Sequence, residues 1–227
     1  MRSTFTNLLT CRDLTTCAVG QCKYVLITAR RGGIVNDPVL LRAGGGPILA
    51  RARGFGCAPV REGRGRVRGS GGGHPRRPTS HRCRSRGHGR KTSIRSLFGD
   101  AIADLRYYRC AEASVDGIPV VVSRTGWTGE VGYEIYLRDA ARGDDLWRRV
   151  EEAGEPFGIR AIAPSEARRI EAGIFNYGSD IRPEDTPFHV TRLGALRRAR
   201  PGTGFHREGG PRAGSPRRAS TANSSGS

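Results

Sequence analysis

The excess positive charge of this sequence is confined to two segments, residues 47–93 and 191–227. The first segment holds 12 Arg and one Lys against one acidic residue, and the second holds eight Arg against one acidic residue. The remaining 143 residues carry 18 basic and 19 acidic side chains, so they are nearly neutral, although the full chain of 227 residues has a formal net charge of +18. A folded domain in this chain therefore has to come from the nearly neutral part.

Both basic segments have a composition that opposes folding. They contain no Asp and few apolar residues, 10 of the 47 residues in the first segment are Gly, and neither segment has a helical or alternating apolar period. Such a chain buries too little apolar surface to offset the entropy that is lost on ordering. We therefore predict that residues 47–93 and 191–227 are disordered.

The sequence also indicates the cellular compartment of the protein. No apolar run approaches the roughly 18 residues that a membrane-spanning helix needs, and the N-terminus lacks the apolar core of a secretory signal. The six Cys include no C-x-x-C pair, so we expect reduced thiols and neither a disulfide framework nor a metal site. These features predict a cytoplasmic protein with no membrane partner.

Five short segments outside the basic segments have the pattern of β-strands. Gly32-Gly33 lies in the turn between the first two, and Asp116-Gly117 lies between the next two. We expect a hairpin at each place, because glycine permits the positive φ that a tight turn needs. The predicted strands are residues 24–28, 34–41, 107–115, 118–123 and 133–137.

Three further segments are expected to form helices. The first is residues 94–105. Asp144 is suited to cap a second helix that ends at Gly154, and Ser165 is suited to cap a third that ends at Gly173. Since strands and helices are interleaved, the sequence predicts an α+β domain with antiparallel sheets and flanking helices.

Three motifs of the nearly neutral part together resemble one family. The first is Gly32-Gly33-Ile34-Val35-Asn36-Asp37-Pro38. The second is Ser123-Arg124-Thr125-Gly126-Trp127-Thr128-Gly129-Glu130-Val131-Gly132-Tyr133-Glu134. The third is Arg169-Ile170-Glu171-Ala172-Gly173, followed by Tyr177-Gly178 and Asp180-Ile181. They are similar to the Gly-Gly-Ile-x-Asp-Asp, Thr-Gly-Tyr-Thr-Gly-Glu-x-Gly-x-Glu and Arg-Leu-Glu-Ala-Gly motifs of the glycine-cleavage T-protein (aminomethyltransferase) superfamily. The resemblance is closest to the dimethylsulfoniopropionate demethylase and sarcosine dehydrogenase-like branch.

The resemblance implies a domain organisation. Residues 1–46 would be a fragment of a first folate-binding subdomain, and residues 94–190 would form a second one. The first basic segment separates the two, and the second basic segment is a tail. The family's C-terminal domain has no counterpart after Val190, so we expect an incomplete, truncated copy.

The resemblance also implies a tetrahydrofolate-dependent one-carbon transferase. An aminomethyl or methyl group would pass from a small-molecule amine or sulfonium donor to N5 of the folate. Glu134 is the implied anchor for the N–H groups of the pterin ring, and Trp127, where the family often has Tyr, is an implied wall of the pterin cavity. On residue type alone, Glu134 is an exposed strand carboxylate, and that alternative stays open.

Asp37 is the implied catalytic carboxylate, placed to stabilise positive charge on the donor during transfer. Asn36, carried over as a cofactor-binding residue, stands where aminomethyltransferases often have a second Asp. This difference favours methyl transfer from a donor other than the glycine-cleavage substrate. In the alternative interpretation, Asn36, Asp37 and Pro38 only form the end of a strand or a turn.

Two more residues are carried over as cofactor-binding residues. Tyr177 is an implied cavity residue, with core packing as its alternative. Arg169 is a candidate folate ligand, because the family's folate-binding Arg, four residues earlier, aligns with Ser165. The alternative is that Arg169 forms a salt bridge on the helix surface with Glu171 or Glu152.

The two basic segments can also be interpreted as family-like sequence translated in a displaced frame. With suitable synonymous codons, residues 47–62 yield RFWLARADSDVLLYAR after one base is dropped. Residues 78–89 yield DVAPLQVQGPR after two bases are dropped. Residues 204–210 yield DFIGKEA when the frame moves by one base and takes one base from Pro211. Displaced translation of a GC-rich gene favours Arg, Gly, Pro, Ala and Ser. We therefore interpret the charge as a product of frameshifts and expect an impaired copy of the transferase.

The alternative function is an Arg/Gly-rich nucleic-acid-binding protein, in which the basic segments contact phosphates. Phe55 and Phe205 are the only aromatic residues in these segments. Single-stranded nucleic acid is usually bound by several aromatic side chains on which bases stack. The sequence therefore favours the transferase, and nucleic acid is not an expected partner.

Overall fold

The computed structural model describes residues 6–7, 9–29, 31–45, 48–51, 58–59, 80–83, 89–190 and 193. The strands in these residues are β1 (Gln21–Tyr24), β2 (Ile27–Thr28), β3 (Ile34–Asn36), β4 (Val39–Arg42), β5 (Leu49–Arg51), β6 (Ala58–Pro59), β7 (Ser80–Cys83), β8 (Cys110–Val115), β9 (Ile118–Ser123) and β10 (Tyr133–Leu137). The helices are α1 (Gly89–Phe98), α2 (Asp100–Ala103), α3 (Gly143–Gly154) and α4 (Glu166–Glu171), and two 3-10 helices, Ala140–Arg142 and Glu155–Phe157, flank α3.

The strands form three antiparallel sheets. The first sheet has the order β1-β4-β5-β6, the second has the order β7-β10-β9-β8, and β2 pairs with β3 in a two-stranded ribbon. Helices α1, α2 and α3 supply apolar side chains to the core on one face of the second sheet. The predicted α+β architecture, with antiparallel sheets and flanking helices, is confirmed.

Strand β10 lies between the helices and the first sheet. All five of its residues are buried. Its odd-numbered residues pack with Leu146 and Val150 of α3, whereas Tyr136 packs with Leu41 of the first sheet. Because successive side chains of a strand point to opposite faces, Glu134 shares the face of Tyr136. The fold therefore directs Glu134 into the space between the two sheets.

The β8–β9 hairpin confirms the second predicted turn. Asp116 and Gly117 have φ values of 47° and 74°, as the two central residues of a type I′ turn require. Strand β8 begins at Cys110, three residues later than expected. Tyr108 has a φ of 59°, which lies outside the range that a strand permits.

The first predicted hairpin is present, but each of its strands is interrupted. Val25-Leu26 separates β1 from β2, and Asp37-Pro38 separates β3 from β4. Pro38 has no N–H to give to a ladder, and its carbonyl oxygen accepts a hydrogen bond from the N–H of Val25 at 3.0 Å. The interruption places Asp37 at the junction between the ribbon and the first sheet.

The helix predicted over residues 94–105 is divided into α1 and α2, because Gly99 between them has a φ of 80°. Asp144 lies inside the first turn of α3 and does not cap it. Asp139 is the capping residue here: its carboxylate accepts a hydrogen bond from the N–H of Ala141 at 3.0 Å and starts the 3-10 helix that leads into α3.

Helix α4 follows Ser165, which is at the predicted N-cap position although its side chain makes no capping hydrogen bond. The helix ends at Glu171, and Gly173 has a φ of 65°, the left-handed conformation that commonly ends a helix. None of the helices in the described residues is long and apolar enough to cross a membrane.

The first basic segment contains some secondary structure in the described residues, while the disorder of the two basic segments as a whole stays a prediction. Strands β5, β6 and β7 and the first half of α1 lie within residues 47–93. Strand β5 pairs with β4, β6 pairs with β5, and β7 pairs with β10. The main-chain hydrogen bonds of such pairs do not depend on apolar side chains. The rest of this segment, and residues 191–227 apart from residue 193, lie outside the described residues.

Gly33 permits a close contact between the first hairpin and the segment that follows α4. The N–H of Ile34 donates to the carbonyl oxygen of Asp185 at 2.8 Å, and the Tyr177 hydroxyl donates to the carbonyl oxygen of Ile34 at 3.1 Å. A Cβ atom on residue 33 would collide with the carbonyl oxygen of Pro183. The Gly-Gly motif therefore connects the two halves of the described chain.

We expect the substitution Gly33→Ala to destabilise the protein by about 1–3 kcal/mol, because the atom it meets is backbone and cannot rotate away. Gly45→Ala is the matched control, since a Cβ atom at residue 45 meets nothing within 4 Å. Urea denaturation of both variants measures the difference. Equal midpoints for the two variants would contradict this packing role.

Candidate functional site

Glu134 is a deeply buried carboxylate. Its side chain is 1% exposed, and its Oε2 atom accepts hydrogen bonds from the Thr125 hydroxyl at 2.6 Å and the Tyr136 hydroxyl at 2.9 Å. Burying a carboxylate is costly unless hydrogen bonds replace its water. The alternative of an ordinary exposed strand carboxylate is therefore wrong, and Glu134 is a buried acceptor held by neutral donors.

The strand register explains why these groups meet. Glu134 of β10 is paired directly with Ser123, the last residue of β9, and Ser123 is paired with Cys110 of β8. Thr125 follows β9 by two residues, and its hydroxyl lies 2.5 Å from that of Ser123. The Ser-x-Thr sequence at the end of β9 therefore places one hydroxyl group, that of Thr125, on the carboxylate of the neighbouring strand and a second, that of Ser123, beside the first.

Trp127 lies in the loop between β9 and β10 and is 7% exposed. The guanidinium carbon of Arg169 is 5.9 Å from the centroid of its indole ring, within the range of a cation–π contact. A Cβ atom on Gly129, which has a φ of 71°, would meet Ala172. The loop of the second motif thus packs on the end of α4, where the third motif lies.

Arg169 is buried and its donors are used within the chain. It forms ion pairs with Glu166 and Asp180 and donates to the carbonyl oxygen of Ile174 at 3.2 Å. Its hydrogen bond to Glu166 is the main reason why the pKa of Arg169 lies above its usual value. The expected salt bridge exists, but its partners are Glu166 and Asp180 and not Glu171 or Glu152. These contacts hold the loop after α4 against the Trp127 ring.

Asp37 forms a second buried acidic centre. Its Oδ2 atom accepts a hydrogen bond from the Tyr24 hydroxyl at 3.0 Å. Burial, and then the charge of Asp37, raise the pKa of Tyr177, so Tyr177 faces this carboxylate as well. Tyr177 also packs at the edge of an apolar cluster that includes Ile181, which agrees with its predicted alternative of core packing.

Asn36 is buried at the end of β3, where it pairs with Ile27. The predicted strand end at Asn36-Asp37-Pro38 is therefore present, and it buries both polar side chains. Sequence reasoning missed Tyr24, although the hairpin pairs Tyr24 with Val39, two residues after Asp37. That register is the signal that would have found it.

A pair of buried thiols connects the two sheets. The N–H of Cys22 donates to the carbonyl oxygen of Tyr108, and the N–H of Cys110 donates to that of Gly20. The hydrogen bond between the two thiols, followed by burial, raises the pKa of Cys22, and the same bond lowers the pKa of Cys110. Burial raises the pKa of Tyr108 to about 12.

Strand β1 is close to both acidic centres. The charge of Glu134 contributes to the raised pKa of Cys22 on β1, and β1 ends at Tyr24, the partner of Asp37. The structure thus brings Asp37, Tyr24 and Tyr177 together, and it brings Glu134, Thr125 and Tyr136 together. An open surface cleft of about 450 Å³ beside α3 contains none of them and is lined mainly by charged side chains.

Residues 93–196 match the family model described as the GCVT N-terminal domain. The dimethylsulfoniopropionate demethylase of Ruegeria pomeroyi is 30% identical over 197 residues, which cover 80% of this chain and 50% of that protein. An aminomethyltransferase of Rubrobacter xylanophilus is 31% identical over 198 residues, which cover 81% of this chain and 49% of that protein. The chain spans about half the length of these curated relatives.

A crystal structure of the glycine cleavage system aminomethyltransferase T of Bartonella henselae superposes with a TM-score of 0.54 at 20% sequence identity. The match covers 82% of this chain and 50% of that one, and it shows that the fold is part of a T-protein-type domain.

The ion pairs of Arg169 generate a stability prediction. We expect Arg169→Ala to destabilise the protein by about 2 kcal/mol, which is less than the roughly 3–5 kcal/mol of a fully buried pair, because Glu166 remains 54% exposed. Arg148→Ala, which removes an exposed ion pair with Asp145, is the control and should leave the unfolding midpoint unchanged. Thermal unfolding of both variants, followed by circular dichroism, measures the difference. Equal unfolding midpoints for Arg169→Ala and Arg148→Ala would show that the buried ion pairs of Arg169 do not stabilise the fold.

The proximity of Asp37 and Tyr177 generates a titration prediction. We expect Asp37→Asn to lower the pKa of Tyr177, because the substitution removes a negative charge that disfavours the tyrosinate. Ultraviolet absorbance titration, with Tyr177→Phe as the reference that identifies the signal, measures the shift. Asp104→Asn, which changes an exposed carboxylate, is the control. An unchanged Tyr177 pKa in Asp37→Asn would show that the two groups do not interact.

Proposed function

We propose that this chain, which belongs to the glycine-cleavage T-protein superfamily over residues 93–196, is a tetrahydrofolate-dependent one-carbon transferase in an impaired copy. The observation that carries the proposal is the buried carboxylate of Glu134, held by the hydroxyls of Thr125 and Tyr136. It stands at the position that the motif resemblance assigns to the pterin anchor. The activity of a whole enzyme remains part of the proposal, because the chain spans only about half the length of its relatives.

The residues present fit a reduced pterin. A pterin edge carries N–H donors, and a buried carboxylate is the acceptor that binds them most strongly. Neutral hydroxyl donors hold Glu134 in place without neutralising its charge. Trp127 supplies a buried aromatic surface beside the same loop. These two residues would hold the ring, and tetrahydrofolate, when bound, supplies N5 as the atom that accepts the one-carbon group.

Asp37 is assigned to the transfer step. The proposed donor, a small-molecule amine or sulfonium compound, is positively charged, and a buried carboxylate stabilises such a charge more strongly than an exposed one. Tyr24 holds Asp37 through its hydroxyl, so the carboxylate is positioned before the donor arrives. The neutral side chain of Asn36 favours a methyl donor over the glycine-cleavage substrate. Arg169 acts indirectly in this scheme, because its donors are used within the chain.

The proposal also includes the origin of the impairment. The displaced-frame reading of residues 47–62 has two apolar runs, FWLA and VLLY, and they fall at residues 48–51 and 57–60. Strands β5 and β6 lie at these positions, Leu49–Arg51 and Ala58–Pro59. Apolar, β-branched or aromatic residues are what such strands normally contain. This agreement supports the interpretation that the basic segment is a displaced translation of two sheet strands.

A cytoplasmic location belongs to the same proposal. It is supported by the thiol pair Cys22 and Cys110, which share a hydrogen bond as thiols and suit a reducing compartment. The proposed partner is the small-molecule donor, with no membrane and no nucleic acid. The nucleic-acid alternative depends on segments that lie mostly outside the described residues, and it stays a prediction.

Calorimetric titration with tetrahydrofolate tests the proposal on two proteins, the chain as given and a version in which the displaced frames are restored. We expect weak or undetectable binding by the first and at least tenfold tighter binding by the second. In the restored protein, Glu134→Gln should weaken binding by about tenfold, which corresponds to the loss of one charge-assisted hydrogen bond.

Glu112→Gln is the matched control, because it changes an exposed carboxylate on the neighbouring strand β8, and its affinity should equal that of the parent. Full affinity in Glu134→Gln would remove Glu134 as the anchor. Tight binding by the chain as given would contradict the impairment. An intact reading frame in the nucleotide sequence of the gene would contradict the frameshift interpretation.

A further inference from the structure

Two buried hydroxyl groups contact the carboxylate of Glu134, and a third buried hydroxyl lies beside one of them. Thr125 and Tyr136 both donate to Oε2. The third hydroxyl, that of Ser123, lies 2.5 Å from the Thr125 hydroxyl oxygen, and Ser123 has no exposed surface. Its relation to Glu134 is therefore indirect, through Thr125.

The direction of these hydrogen bonds follows from proton counting. An ionised carboxylate only accepts hydrogen bonds, and a threonine hydroxyl has a single proton. Thr125 therefore uses that proton in its bond to Glu134, and its oxygen has to accept from Ser123. The chain of donors runs in one direction, from Ser123 to Thr125 to Glu134.

The backbone fixes the start of this chain of donors. Ser123 is the last residue of β9 and is paired with both Glu134 on β10 and Cys110 on β8. It is held between two strands of the sheet, whereas Thr125 belongs to the loop that follows. A rigid strand residue thus sets the hydroxyl orientation of a loop residue.

We propose that Ser123 is a positioning residue for the site: it directs the single proton of Thr125 onto Glu134, which stabilises the charged form of this carboxylate and places it to bind a donor-bearing ring. The role deepens the proposed function and rests on it, because it assumes that Glu134 is the anchor. Ser123 acts through Thr125 and touches no ligand.

Other titratable groups lie close to Glu134, and their charge could affect its protonation. They are Cys22 from β1, Tyr108 from the segment before β8, and Tyr136 from β10 itself; the charge of Glu134 contributes to the raised pKa of Cys22 and of Tyr108. The raised pKa values of Cys22 and Tyr108 keep both groups neutral in the range in which a carboxyl group takes up its proton. The protonation of Glu134 therefore reports on its hydroxyl donors without interference from these neighbours.

The test measures the protonation of Glu134 in the ligand-free full chain by carbon-13 NMR of side-chain carboxyl groups, with Glu134→Gln to identify the signal. We expect Ser123→Ala and Thr125→Val to raise the midpoint of protonation, because each weakens the stabilisation of the charged form. Thr125→Ser keeps the hydroxyl and should restore the parent midpoint. Ser114→Ala, at an exposed position of β8, is the matched control and should change nothing.

A second measurement separates this proposal from the proposed function. In the frame-restored protein, Ser123→Ala should weaken tetrahydrofolate binding about three- to tenfold, as expected for one hydrogen bond. One outcome is that Ser123→Ala raises the midpoint of Glu134 protonation while the frame-restored protein without this substitution binds no folate. That combination would support the positioning role and refute the folate function. A midpoint and an affinity equal to those of Ser114→Ala would overturn the positioning role.

Ser123→Cys keeps a side chain of similar size with a weak donor, and it serves if Ser123→Ala fails to fold. We expect an intermediate midpoint for Ser123→Cys. A midpoint equal to that of the parent in this variant would also overturn the proposal.

Discussion

The buried carboxylate of Glu134 is the constraint on which the arrangement of the second sheet depends. A charge in the interior is tolerated only where donors replace its water. Those donors come from β10 itself, through Tyr136, and from the end of β9, through Thr125. The register between β9 and β10, the place where β9 ends and the path of the loop that follows are therefore all tied to one side chain. A slip of one residue would turn Glu134 toward the helices and into an apolar core.

The same requirement explains how the second and third motifs are related. The loop of the second motif has to return from β9 to β10 while keeping Thr125 near Glu134, and it does so by packing Trp127 over Arg169. Arg169 is in turn held by carboxylates before and after it in the chain. The motif residues thus form one connected set of contacts, in which few residues would touch a ligand and the others hold them in place.

Much of the fold could be predicted from local signals, because those signals have local causes. Asp116-Gly117 marks a turn whose positive φ values few other residues tolerate, and the alternation over residues 133–137 marks a strand. Helix ends were less predictable. Gly99 divides a helix at a position where the apolar pattern continues, and the cap near α3 is Asp139 and not Asp144, since either aspartate suits an N-terminus.

The site was predictable only as far as the motifs reach. Glu134, Trp127 and Asp37 lie inside them, as do the partners Thr125 and Arg169. Two other partners come from elsewhere: Tyr24 is set by hairpin register and Tyr136 by strand alternation. Asp180, the partner of Arg169, belongs to the third motif but follows α4 by nine residues, and helical spacing alone does not bring it near. Composition also did not indicate the short strands β5, β6 and β7, because composition says nothing about whether a neighbouring strand offers free main-chain groups.

The contacts of Ile34 with Tyr177 and Asp185 carry a consequence for how this protein is made. They close a loop of about 150 residues, so the first hairpin emerges from the ribosome long before the segment that completes its packing. The entropic cost of such a closure rises only with the logarithm of loop length. The composition of the intervening chain therefore matters little to that cost. That composition matters much more to which chain segments can pair with the first hairpin before its packing is complete, since the unpaired edge of the hairpin is exposed throughout synthesis.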